Sequence, residues 1–275
     1  MLLDRFKLLA TLAALIFADS TEVVAHGSVH EQISQITKQL ERNPIAELHL
    51  KRGELFYFHN DWNAALADYD TAAVLDPELD IVDLYRSTTL LAAGRFNSAQ
   101  EAVERFLQKK PEHRQALLTS ARIHVKLEDY LAAVANYDQF LRLQNKAKPT
   151  HYLERAQALI NAGPEHIEAA LAGIDAGLDK LGQIVTLQLH AIDLELKLNR
   201  VDAALERLER ISAQSARKEK WLFRKGEILT KGGRDQEARQ AYDLALQSIT
   251  ALPKSRREAK AIRELEARIR AALHL

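Results

Sequence analysis

Prolines recur along this chain at a spacing that few folds can absorb. Pro44, Pro77, Pro111 and Pro149 follow one another at intervals of 33, 34 and 38 residues. Proline ends a helix because it lacks an N–H and its ring clashes with the turn before it. A stop at that interval leaves room for two helices and their turns, so the chain reads as an array of helical hairpins. Composition agrees: 47% of residues are apolar and only 6% aromatic, with Ala and Leu leading. That balance favours helices over a sheet, and 275 residues are enough to bury a sizeable core.

Overlaying the segments at a period of 34 brings like residues into register. The stretch 46–79, AELHLKRGELFYFHNDWNAALADYDTAAVLDPEL, places Gly53 eighth, Phe56 eleventh, Ala65 twentieth, Tyr69 twenty-fourth, Ala72 twenty-seventh and Pro77 thirty-second. This order of small and large residues resembles the signature of the tetratricopeptide-repeat (TPR) family. Residues 80–113 keep Leu90, Gly94, Ala99 and Pro111, with Ser87 and Phe106 as departures. Residues 114–147 keep Ala121, Ala133 and Tyr137, with Phe140 at the twenty-seventh place and Asn145 where proline is expected. A fourth repeat keeps Tyr152, Ala156, Leu159, Gly163, Ala169 and Ala176, with one residue inserted near Pro164. A fifth, at about 184–217, is degenerate, and the sixth, 219–252, restores Gly226, Gly233, Ala238, Tyr242 and Ala245.

The physical reading is an all-α chain of antiparallel helix pairs. Gly, Ala or Ser at the eighth and twentieth places allows two helices to cross at ~8–10 Å. Large residues beside them fill the flanking space. Gly94, Gly163 and Gly233 are expected at the turns between helices, where a left-handed backbone closes the first helix. Each pair leaves an apolar face that the next pair covers, which predicts a right-handed superhelical solenoid. Residues 28–43 predict a capping helix with Ser28 as N-cap, Glu31 three residues on, and a stripe of Ile33, Ile36 and Leu40. Residues 254–273 predict a charged terminal helix with an apolar line through Ala261, Leu265, Ile269 and Leu273. The expected organisation is therefore a signal peptide at 1–25, a tail and capping helix at 26–45, about six TPR-like units at 46–252, and a C-terminal cap at 253–275.

The signal reading rests on Arg5 and Lys7, the apolar run Leu8 to Phe17, and Val23-Val24-Ala25 before a cleavage site. The run is half the length a membrane-spanning helix requires. It predicts an exported protein, in a bacterial periplasm, with no stable membrane insertion after cleavage. The 38 Lys and Arg balance 38 Asp and Glu, so nothing in the net charge draws the chain to nucleic acid. With no Cys, disulfides, thiolate catalysis and Cys-ligated metals are excluded.

The family resemblance implies a non-enzymatic scaffold that holds a peptide or protein partner in a concave groove lined by the first helix of each repeat. Carried onto this chain, the lining positions are Leu50, Glu54, Tyr57 and Phe58, then Leu84, Thr88 and Leu91. They continue with Gln115, Leu118, Arg122 and Lys126, then Leu153, Gln157 and Asn161. Arg122 and Lys126 make a basic spot beside an apolar and aromatic patch, which suits an extended peptide with a large apolar side chain near a carboxylate. The TPR subset that grips chaperone tails uses Lys, Asn and Arg at places that here hold Leu50, Glu54, Tyr85, Gln115 and Thr119, so that ligand is not expected.

An alternative arises at the N-terminus. Cleavage after Ala25 would expose His26, and with His30 it offers nitrogen donors for copper or zinc in a metal-handling accessory protein. The other histidines lack ligand spacing. No cofactor is expected. There is no phosphate-cradling loop, no Gly-x-Ser-x-Gly elbow and no His-Glu-x-x-His helix. Asp68 and Asp70 are two apart on a helix and point in different directions, which reads as a solvated face around Tyr69.

Overall fold

The computed structural model describes residues 26–213 and 215–274, without the side chains of 26–28. The segment 1–25 expected as a signal lies outside the described residues. The described chain is all-α, with fifteen α-helices, one short 3-10 turn and no strand. It divides into two compact units that meet between Arg95 and Phe96. That boundary falls inside 80–113, which the sequence reads as one repeat.

The first unit holds α1 (His26–Arg42), α2 (Ala46–Phe58), α3 (Trp62–Leu75) and α4 (Ile81–Ala92). The stripe on α1 turns Ile36 and Leu40 into the packing against α2. Because α1 already starts at His26, Ser28 lies inside its first turn and does not precede it as a cap. α2 and α3 form a hairpin, and α4 packs on α3. At their crossing Gly53 makes room for a ring: a Cβ there would stand 2.5 Å from Tyr69 Cε1 and 3.1 Å from the Ala65 carbonyl oxygen. Tyr69, Ala65 and Ala72 are accordingly fully buried.

The second unit holds α5 (Phe96–Lys109), α6 (Arg114–Lys126), α7 (Tyr130–Leu143), α8 (Pro149–Ala162), α9 (Ile167–Leu181), α10 (Val185–Lys197), α11 (Val201–Ala213), α12 (Glu219–Lys231), α13 (Asp235–Thr250), α14 (Lys254–Arg257) and α15 (Lys260–Leu273). α6/α7, α8/α9, α10/α11 and α12/α13 are hairpins, each stacked on the next in the manner of a solenoid. Gly226 receives the Tyr242 ring as Gly53 receives Tyr69, a Cβ there standing 2.3 Å from Tyr242 Cε1. In α8/α9 the pairing is reversed, with Tyr152 on the first helix against Gly177 on the second. Ala121, Ala133, Ala204 and Ala238 are buried, as their tight crossings require.

Five first helices end the same way. Asn60, Gly94, Glu128, Asn199 and Gly233 take φ between 58 and 75°. The next residue's N–H then reaches back to a carbonyl of the helix: Asp61 to Phe56, Arg95 to Leu90, Asp129 to His124, Arg200 to Glu195 and Arg234 to Leu229, all at 2.8–2.9 Å. This is the Schellman closure. Gly94 and Gly233 fill the place expected of them, and elsewhere Asn and Glu accept the same backbone. Gly163 differs, with φ 149° and ψ 163° leading into the 3-10 turn Pro164–His166, because the inserted residue lengthens that connection.

Two other expectations change. The terminal helix is broken: α14 is a single turn, and Ala259 takes an extended conformation before α15. The buried line of α15 runs through Ile262, Ile269 and Leu273, while Ala261 is exposed. Asp68 is not on a solvated face. It is 4% exposed, accepts two bonds from Arg52 at 2.7 and 2.8 Å, and lies 2.8 Å from His49 Nδ1. The Arg52 pKa is raised by its bond to this carboxylate. Asp70 does face outward, where Arg86 pairs with it.

Candidate functional site

Three first helices of the second unit, α8, α10 and α12, open onto one cleft. α8 and α10 form its walls, and the last turn of α12 closes one end. The cleft measures about 710 Å³ and is lined by Leu153, Ala156, Gln157 and Ile160 from α8 and by Leu194 and Leu196 from α10, with the polar groups described next. Helix α8 begins cleanly, with Pro149 at its first turn and the Lys148 N–H donating to His151 Nδ1 at 3.1 Å. Its buried stripe, Tyr152, Ala156 and Leu159, fixes the rotation that turns Leu153, Gln157 and Ile160 into the opening.

The polar lining is arranged in pairs. Glu154 accepts two bonds from Arg122, at 2.9 and 3.1 Å, and a third from the Tyr137 hydroxyl at 3.1 Å. Burial works against the Arg122 cation, but Glu154 outweighs it and the pKa of Arg122 is raised. Burial also pushes the Tyr137 hydroxyl up, and the Glu154 charge adds to it. Asp193, on α10, pairs with Arg224 from α12. Lys197 and Lys231 line the cleft from the ends of α10 and α12, and His190 lines it from the middle of α10.

The expected lining residues fare differently. Leu153 and Gln157 line the cleft, and Gln157 donates to Asn161 at 2.7 Å. Arg122 reaches it only through Glu154, so its charge is already answered. Lys126 is exposed, Gln115 half-buried and Leu118 buried in the helix packing. In the first unit Leu50 and Leu84 are likewise buried and offer no surface. Thr88 is half-buried and its hydroxyl donates to the Leu84 carbonyl at 3.0 Å. Glu54, Tyr57 and Leu91 are half-buried, and burial raises the Glu54 pKa. Phe58 is 59% exposed, with its ring edge-on to Tyr57 at 5.6 Å.

Ile160, Asp193, Leu196, Lys197 and Lys231 were missed from the sequence. Counting the fifth repeat from Val185, where α10 starts, sets Asp193, Leu196 and Lys197 level with Gln157, Ile160 and Asn161, each 36 residues on. The degenerate repeat hid that alignment.

For the expected metal pair, His26 opens α1 but its side chain lies outside the description. The His30 ring stands edge-on to His59, centroids 4.4 Å apart. Among the described residues no group of three or more His, Asp or Glu is placed to hold a metal ion. No described helix is long and apolar enough to cross a membrane.

Comparison with known proteins places these features in context. Residues 86–147 match the family model described as tetratricopeptide repeat, and 172–262 match the one described as tetratricopeptide repeat-like domain. A tetratricopeptide repeat and J domain-containing co-chaperone from Fusarium oxysporum is 35% identical over 118 residues, 42% of this chain. That match spans only 20% of the relative's length. A tetratricopeptide repeat protein from Parabacteroides merdae superposes with a TM-score of 0.54 at 16% identity, covering 90% of this chain and 94% of that one. The C-terminal part of a TPR repeat-containing protein from Cytophaga hutchinsonii gives a TM-score of 0.63 at 13% identity, covering 82% and 93%. At such identities the likeness is one of fold.

Proposed function

The chain belongs to the tetratricopeptide-repeat proteins, and from that premise we propose that it is a non-enzymatic scaffold whose second unit holds an extended segment of a partner protein between α8, α10 and α12. The observation that carries this is the cleft itself. It is about 710 Å³, within the range of pockets that hold a ligand. Its floor is Leu153, Ile160, Leu194 and Leu196, and its two acids are already satisfied by arginines. An apolar floor inside a polar rim is the make-up of a protein-binding surface, and the paired rim holds the helices at fixed spacing without spending a group on chemistry.

The test is site-specific photo-crosslinking in the native host. A photoreactive residue at Gln157 is expected to yield a discrete adduct, and one at the exposed Asp243 of α13 is expected to yield none. Equal labelling from both positions, or none from Gln157, removes the reading. Export is part of the same proposal, supported by Arg5, Lys7 and the run Leu8 to Phe17. N-terminal sequencing of the protein from its host checks it, with His26 as the expected first residue.

A further inference from the structure

The charges around the cleft do not balance. Glu154 is answered by Arg122 and Asp193 by Arg224, so each acid of the lining is neutralised by an arginine. Neither Arg122 nor Arg224 lines the cleft. Lys197 and Lys231 do line it, are exposed, and enter no hydrogen bond or ion pair among the described residues. A lysine in the last turn of a helix is favoured by the helix dipole wherever it points around that turn. Here two such lysines, on different helices, open onto the same cleft.

Resting on the reading of this cleft as a protein-binding groove, we infer that its ligand is an acidic segment. An Asp or Glu side chain lies between Lys197 and Lys231, and a neighbouring large apolar residue packs on Leu153, Ile160 and Leu194. The apolar contact supplies affinity, while the lysines set which segments are admitted, since unlike charges steer and select more than they tighten. A basic segment would meet two uncompensated like charges at the same opening. Nucleic acid does not fit, because 38 basic residues are balanced by 38 acidic ones and two lysines make no track for a phosphate backbone.

The experiment is fluorescence anisotropy on the full chain with labelled, C-terminally amidated peptides of alternating Glu and Leu, Gln and Leu, or Lys and Leu. Amidation removes the terminal carboxylate, so any preference reports the side chain. The Glu peptide is expected to bind about five- to tenfold more tightly than the Gln peptide, the scale of two exposed ion pairs, and the Lys peptide more weakly than either. Raising salt should shrink the difference. The double variant Lys197→Gln plus Lys231→Gln, with both side chains exposed, should bring the Glu peptide to the level of the Gln peptide and leave the Gln peptide unchanged. Gln157→Trp, which fills the cleft from an exposed position, should abolish binding of both. If the Glu and Gln peptides bind equally and Gln157→Trp blocks both, the groove stands and the acidic preference is overturned. Failure of every peptide to bind, or binding indifferent to Gln157→Trp, overturns both.

Discussion

Substituting Gly226→Ala tests the hairpin geometry at its tightest point. The added Cβ would stand 2.3, 2.5 and 2.7 Å from Cε1, Cδ1 and Cζ of Tyr242, where carbons prefer about 3.5–4.0 Å. The ring has nowhere to go: it is buried, lies 5.6 Å from the Phe223 ring, and its hydroxyl sits 3.2 Å from Thr230 Oγ1. Overpacking of this kind costs about 1–3 kcal/mol. Alanine in a helix interior recovers about 1 kcal/mol relative to glycine. The difference predicts a net loss of up to about 2 kcal/mol, toward the upper end because three ring carbons are met at once.

The assay is denaturant unfolding followed by tryptophan fluorescence in a Trp62→Phe background. The remaining indole, Trp221, is buried on the same helix as Gly226, so it reports the transition of this hairpin. That locality matters, because a repeat array need not unfold in one step. Two controls sharpen the result. Gly173→Ala also brings a Cβ close, but to the guanidinium end of Arg155, which would have to shift from the Ala169 carbonyl and not from a packed ring, and should cost less. In a Tyr242→Leu background Gly226→Ala should turn neutral or stabilising. Should Gly226→Ala behave like Gly173→Ala, or the loss persist without the ring, the proposed steric lock between the helices is wrong.

Three further outcomes follow from the same geometry. Ala65→Leu, at a fully buried crossing, should cost about 1–3 kcal/mol by overpacking, measurable as a lowered denaturation midpoint in the first unit. Asp68→Asn should strand Arg52 and cost about 3 kcal/mol, the low end for breaking a buried pair because the arginine is partly exposed; an added Arg52→Met should return part of that loss. His113 and His151 both have pKa values lowered by burial, and their Nδ1 atoms accept backbone N–H bonds from Ala116 and Lys148. Depressed imidazole values mean the unfolded chain takes up protons first. Their stabilisation is therefore complete above the ordinary histidine value of about 6.5 and lost as pH falls through the folded values. Midpoints measured down the pH scale should drop across that window, and His113→Asn, which keeps an acceptor without titrating there, should flatten the slope.

Much of the fold was legible because its tight contacts are made by residue size. Gly53, Ala65 and Tyr69 can be read at their spacing, since only a small residue admits the ring. What escaped was whatever joins one repeat to another. Arg95 to Asn63, Arg200 to Glu168, and Arg234 to Asp202 each link a turn to the start of a second helix 32 residues earlier. No motif confined to one repeat contains both partners. Asp68 was misread because its partners lie 16 and 19 residues away on another helix, and nothing local marks it as buried. The cleft was half legible: Leu153 and Gln157 sit in a recognisable repeat, whereas Lys197 sits in one whose count had slipped. Ala261 lost its place to Ile262 because the break at Ala259 resets the rotation of α15.

The reversed pair in the α8/α9 hairpin bears on how such chains drift. Tyr69 and Tyr242 occupy the second helix, and Tyr152 the first, each opposite a glycine. Moving from one arrangement to the other by single mutations passes through a form with two rings colliding or with a void where both are gone. The α6/α7 hairpin shows a milder waypoint: an alanine at 121 shares the core with a buried Tyr137, whose hydroxyl is tethered to Glu154 of the next helix. Ancestry in these hairpins is therefore better traced through joint changes at the two sites than through either column alone.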